Sequence, residues 1–324
     1  QHLIFEPDGA MLQLPPNLLI ADQAGVDRYL ARTADPKVDE FDFRGIEWLG
    51  RQRDISTAVS ARAFRDIRRA AASRAARPYL GFGENAPPRG PAAEQTAVRG
   101  LLGESPGCGW PVGHWAKPIS DAELLTARKA AGAAGSDIVT GAGFSDSAIK
   151  SRGDLSHYRI LHFATHGLVT APRPECPARP ALMTSFAGGD SDGLLSFAEI
   201  YDLHLDADLV ILSACDTAGK ASLAASREAG LRGGGEFALD GLVRAFVGAG
   251  GRSVIASHWP VPDDYDATNR LISGLFDSPP GTATATALRL AEGKLMAAPE
   301  TSHPYYWAGF AIIGDGAAPV VPKS

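Results

Sequence analysis

The chain alternates short apolar runs with stretches whose apolar residues recur three and four positions apart. The runs HLIF, RPYLGFG, YRILHFA, ADLVILS, RSVIAS and YYWAGFAIIGD show little polar alternation, which predicts strands covered on both faces. Helical spacing fills much of the sequence between them. In EFALDGLVRAFVGAGG, Leu239, Leu242, Val243, Phe246 and Val247 share one face, and glycines follow as a stop. DATNRLISGLF and the segment around Ala285 to Met296 predict two more helices. ISTAVSARAFRDIRRAAASRAAR has helix-forming composition after Ser56 or Ser60. SDAELLTARKAAGAAG places Ser120 three residues before Glu123, the spacing of a capping box. LSFAEIYDLHL predicts a helix or turn. Asp35–Arg44, Glu84–Trp115 and Thr170–Asp192 are polar or rich in Pro and Gly and predict loops. The Gly-, Ala- and Ser-rich Lys220–Gly235 predicts a mobile one. Strands alternating with helices in this way predict an α/β fold on a mostly parallel sheet.

Composition narrows the function more than the fold. A length of 324 residues allows one large or two smaller domains, and 45% hydrophobic with 21% charged residues supplies a real core. The net charge is −6, and the one basic stretch, RDIRRAAASRAAR, reads as a solvated helix face rather than a nucleic-acid surface. No apolar run approaches the ~20 residues of a membrane span. No signal peptide is visible, and the expected location is cytoplasmic; the sequence begins with Gln1 rather than Met, from which we expect a missing upstream portion. Three cysteines, at 108, 176 and 215, do not make a disulfide framework. Cys108, His114 and Cys176 lack the paired spacing of a metal site, and GFG at Gly81 lacks the rest of a phosphate-binding fingerprint. No cofactor is expected.

Candidate chemistry gathers where two strands end. In open parallel sheets, sites form beyond the carboxyl ends of the strands. His166 closes YRILHFATHG, and Cys215 closes ADLVILSACD. A thiol becomes a strong nucleophile when a base stands beside it, and His166 is the nearest good base. Gly167 lets a backbone N–H approach a substrate closely, so Gly167 and Cys215 are natural oxyanion donors. Taken singly, His166 and Cys215 also fit packed strand ends. His162, within the apolar run, reads as a packed, hydrogen-bonded core histidine. Asp216 reads as a turn former or as a partner for a basic substrate side chain, and Trp259 as a pocket wall.

HFATHG, LSACDTAG, GLVRAFVGAGGRSVIASHWPV and HPYYWAGFAIIGD, in that order, resemble the CHAT domain family, caspase-like peptidases often fused to TPR helices. HLIFEPDGAMLQLP and LTARKAAGAAGSDIVTGAGFSDSAIKSRGDLSHYRILHFATHG extend the resemblance over almost the whole chain. The broader likeness is to caspases, separases and metacaspases. The resemblance implies a caspase-like three-layer α/β/α sandwich with a mostly parallel sheet. Residues 1–150 would form its N-terminal, non-catalytic part and 151–324 its catalytic half. It implies a metal-free cysteine endopeptidase acting on protein or peptide substrates through His166 and Cys215, with Gly167 at the oxyanion position. It also implies a regulatory TPR-type segment upstream. One departure bears on specificity. SHWPVPDD places Pro260 where separases carry an Asp that reads a basic residue, and the acidic pair Asp263 and Asp264 follows later. A latent caspase-like scaffold or interaction module is the alternative reading, and an acyltransferase using the same dyad a third.

Overall fold

The computed structural model describes residues 1–7, 11, 14–87, 112–168, 180–186, 191–213, 241–259 and 264–322. In chain order its elements begin with β1 His2–Phe5, α1 Gln23–Thr33, α2 Leu49–Gln52, β2 Asp54–Thr57, α3 Ala61–Arg69 and β3 Arg77–Asn85. Then come α4 Ala122–Ala130, β4 Ile138–Gly141, α5 Asp146–Lys150, β5 Tyr158–Ala164, β6 Gly167–Leu168, β7 Ala181–Met183 and β8 Leu194–Ser196. The last are α6 Phe197–Tyr201, β9 Leu209–Ser213, α7 Leu242–Gly248, β10 Ser253–Ser257, α8 Ala267–Phe276, α9 Thr284–Ala297 and β11 Phe310–Gly314. The chain divides into two units, one joining residues 1–70 with 260–324, the other formed by 71–259. Residue 150 lies inside the second unit.

In the first unit, β1, β2 and β11 lie side by side in that order, all parallel. Helix α8 packs on α9, and Gly274 makes the close approach possible, since a Cβ there would sit 3.0 Å from the Ala291 Cβ. Helix α3 starts at Ser60, whose hydroxyl accepts from the Ala63 N–H. It buries no residue, in keeping with a solvated basic face. It ends at Arg69, well short of the Arg77 reached by the helix-forming composition. Beyond it, in the second unit, the Ser73 and Arg74 amides bond to the carboxylates of Asp208 and Asp206, partners that a helix would forbid.

Glu292 lies buried on α9, and the Asn17 side-chain amide donates to its Oε1 at 3.0 Å. Burial pushes its carboxyl well above the usual range. The folded chain therefore keeps a proton that the unfolded chain releases above about pH 4.3. This contribution to stability is full below that pH and is lost as pH rises toward the folded value. Glu292→Gln keeps the carbonyl acceptor for Asn17 and removes the titration. Melting scans from pH 4 to pH 8 should show the variant gaining on the wild type as pH rises; parallel curves would refute this.

The second unit carries a parallel sheet in the order β10-β9-β5-β3-β4. The mostly parallel α/β architecture expected from the sequence is the one observed. Strands β9 and β10 are buried at every position, as their unalternating apolar runs require. Phe163 of β5 stacks on Phe82 of β3 at 5.1 Å and meets Phe246 of α7 at 5.2 Å, tying three elements together. Such aromatic pairs add about 0.5–1.5 kcal/mol each beyond burial. A second, antiparallel sheet, β6-β7-β8, follows directly from the end of β5. Its middle strand corrects the loop expected over Thr170–Asp192. Three residues, Ala181–Met183, are too few to show a period, but they are buried between β6 and β8.

Candidate active site at the strand ends of the second unit

His166 stands between β5 and β6, where the chain leaves the large sheet for the small one. Backbone bonds hold it on both sides. The Thr165 N–H donates to the Ser213 carbonyl at 3.3 Å, and the Met183 N–H donates to the His166 carbonyl at 2.9 Å. The Thr165 hydroxyl donates to the Met183 carbonyl at 2.6 Å. Trp115, Leu168 and Met183 form a buried apolar cluster at this junction, with Phe186 and Leu194 against it. His166 is itself partly exposed.

The imidazole has a defined orientation. His166 Nε2 lies 2.6 Å from the backbone carbonyl of Lys117, an acceptor only, so Nε2 must carry the proton. The neutral ring then presents its lone pair at Nδ1, and the carbonyl steadies the ring when Nδ1 gains a proton. Two residues before Lys117, Trp115 is anchored. The Trp115 indole N–H is shared by the carbonyls of Thr184 at 3.0 Å and Gly193 at 3.3 Å, and the Trp115 carbonyl accepts from Asn85. Sequence reasoning missed Lys117, because a main-chain carbonyl carries no residue signature.

Strands β5 and β9 are adjacent and parallel, with Ala164 opposite Ser213. The offset between these partners is 49 positions, the same that separates His166 from Cys215. Gly167 opens β6, partly exposed and opposite Leu182. Trp259 follows β10 and is partly exposed. His258, beside it, is largely buried, and burial lowers its pKa to about 4, so it is neutral at physiological pH. Cys215, Asp216 and Asp263 lie outside the described residues, as do the side chains of His114 and Asp264. Cys108, Cys176 and the Lys220–Gly235 segment also lie outside them.

His162 is fully buried, and its Nδ1 is 2.9 Å from the Tyr79 hydroxyl. It is the hydrogen-bonded core histidine expected from its place in the apolar run. The capping box expected at Ser120 and Glu123 does not form. The Ser120 hydroxyl accepts from Ala122, while the Glu123 carboxylate turns inward to Ser213 and His162. Among the described residues, no group of three His, Cys, Asp or Glu side chains has the geometry to hold a metal ion. No helix among them is long and apolar enough to cross a membrane.

A parallel α/β sheet with a histidine held at a strand end defines the structural class. The family follows from the sequence match: the profile of the CHAT domain covers residues 1–315, and the chain belongs to that family. Two curated relatives are the tetratricopeptide repeat protein 28 of Mus musculus, 33% identical over 126 residues, and that of Homo sapiens, 31% identical over 126. Each match spans 38% of this chain but only 4% of the relative's length. Among solved structures, the Saccharomyces cerevisiae separase–securin complex is similar with a TM-score of 0.45 and 12% identity, over 82% of this chain and 14% of that one. The complex of Porphyromonas gingivalis RgpB pro- and mature domains gives 0.47 and 11%, over 87% and 61%.

Proposed function

We propose that the chain is a cysteine endopeptidase in which His166 activates the Cys215 thiol. The observation that carries this reading is the Lys117 carbonyl on His166 Nε2, which leaves Nδ1 as the base at the strand end. Membership of the CHAT family supports it. Cys215 follows Ser213, the end of β9, by two residues in the sequence. His166 follows Ala164, the partner of Ser213, by the same count.

In this mechanism the thiol proton passes to His166 Nδ1 as sulfur attacks the scissile carbonyl carbon. The backbone N–H groups of Gly167 and Cys215 donate to the oxyanion. Collapse breaks the C–N bond, and His166 returns the proton to the leaving amine. Water, giving a proton to His166, then hydrolyses the thioester and frees the thiol. Trp259 walls the substrate pocket, with Asp216, Asp263 and Asp264 as candidates for holding a basic side chain. Residues 151–324 supply both members of the dyad. The TPR proteins among the relatives support a TPR-type regulatory segment joined to this domain.

A peptide-library cleavage screen and a thiol-directed peptidyl ketone probe test the reading. The wild type should cleave and label at Cys215, and Cys215→Ala should do neither. Cleavage surviving that substitution would overturn the mechanism. An unlabelled Cys215 in the full-length protein would favour the scaffold, and amide transfer without hydrolysis the acyltransferase.

A further inference from the structure

Beneath the strand ends lies a chain of buried polar side chains that the mechanism above does not use. Glu123 sits in the first turn of α4, almost fully buried. Its Oε2 accepts from the Ser213 hydroxyl at 3.0 Å, and Ser213 is the last residue of β9. Its Oε1 lies 3.3 Å from His162 Nε2, a close contact rather than an aligned hydrogen bond. His162 Nδ1 meets the Tyr79 hydroxyl at 2.9 Å. Burial, and then the Glu123 charge, push the Tyr79 hydroxyl well above its ordinary pKa, so it stays protonated.

The four side chains come from α4, β3, β5 and β9, and the sheet is built to admit them. Gly81 stands directly opposite His162. A Cβ on Gly81 would sit 2.9 Å from the Tyr79 hydroxyl, so its absence lets that side chain lie along β3. A Cβ on Gly83 would sit 2.7 Å from the Ala164 carbonyl and 2.9 Å from Leu124 Cδ1, so its absence seats α4. The GFG stretch thus makes room for this chain of contacts. A carboxylate taken out of water loses its hydration, which its partners must offset, and an apolar residue would pack the same space without that cost. Glu123 therefore reads as a device that fixes a position, not as a source of stability.

We propose that Glu123 and Ser213 are positioning residues that hold the carboxyl end of β9, with His162 and Tyr79 holding the carboxylate, so that Cys215 is presented to His166. The proposal rests on the reading of Cys215 as the nucleophile. With the Ser213 hydroxyl gone, Glu123 Oε2 loses its donor, and the end of β9 keeps only its ladder bonds. A displacement of about 1 Å at a reacting atom can cost up to roughly a hundredfold in rate, and loss of one of several holds should cost less.

Two measurements on Ser213→Ala, Glu123→Gln and the conservative Ser213→Thr test it. The first is amide hydrogen exchange over residues 209–213. The second is the pH profile of Cys215 alkylation by iodoacetamide, read by peptide mapping, alongside kcat and KM for a cleaved peptide. In Ser213→Ala, exchange should quicken, kcat should fall by about tenfold with KM little changed, and the alkylation profile should move to higher pH. Glu123→Gln, which keeps an acceptor for Ser213 but not the charge, should fall between, and Ser213→Thr should restore all readouts. Wild-type exchange, kcat and alkylation in both Ser213→Ala and Glu123→Gln would overturn the proposal. If wild-type Cys215 alkylates like a free thiol and no peptide is cut, the nucleophile reading fails instead. The exchange data then still decide whether Glu123 and Ser213 hold β9.

Discussion

His166→Gln should lower kcat for peptide cleavage by about 10²–10⁴-fold, the usual contribution of a placed general base, while the melting temperature stays near the wild-type value. Gln is chosen because its side-chain amide can still donate to the Lys117 carbonyl, the bond that His166 makes through Nε2. What Gln lacks is a basic nitrogen on the other side. The variant therefore separates the base from the anchor. Stability should hold, because His166 is partly exposed and its backbone bond to Met183 is independent of the side chain. Single-turnover cleavage with saturating enzyme gives the chemical step directly. A rate within threefold of wild type would mean that His166 Nδ1 is not the base, and the strand-end assignment would fall with it.

Long-range pairing explains which parts of this arrangement the sequence discloses. Strands β5, β9 and β10 were readable because both faces are covered, so their residues are apolar without alternation. His166 was readable because it breaks such a run at its carboxyl end. Helix α1 is not legible, although Asp22 caps it by accepting from the Gly25 N–H, because little of its length is buried and no apolar stripe marks it. Strand β7 is legible only once β6 and β8 flank it. Glu123 shows the limit most clearly. Locally it completes a capping-box spacing with Ser120, but its partner Ser213 lies 90 positions away. The fold resolved the competition in favour of the distant hydroxyl. The Lys117 carbonyl is further still from sequence reasoning, since its role depends on where Trp115 anchors the backbone and not on the lysine.

Gly250→Ala should cost about 2–4 kcal/mol of stability, by a mechanism confined to the backbone. Gly250 adopts a φ of 114°, which side-chain-bearing residues rarely take. A Cβ there would lie 2.2 Å from the Leu205 carbonyl oxygen, inside any tolerable contact. Neither side can give way. The Leu205 N–H bonds to the Ala249 carbonyl at 2.8 Å, and the Arg252 N–H bonds to the Ala207 carbonyl at 3.0 Å, lacing this turn to the approach of β9. Gly293→Ala supplies the contrast. Gly293 lies inside α9, and outside its own helix backbone nothing comes within 4 Å of its would-be Cβ, so the same substitution should stabilise by about 0.5–1 kcal/mol through helix propensity. Urea denaturation of both variants should give shifts of opposite sign; a Gly250→Ala midpoint at the wild-type value would show that the turn relaxes freely. Because that turn leads into β10, which pairs with β9 through Val254 and Val210, the Gly250→Ala protein should also lose cleavage activity under conditions where it remains folded. Gly293→Ala, on a helix of the first unit, should keep it.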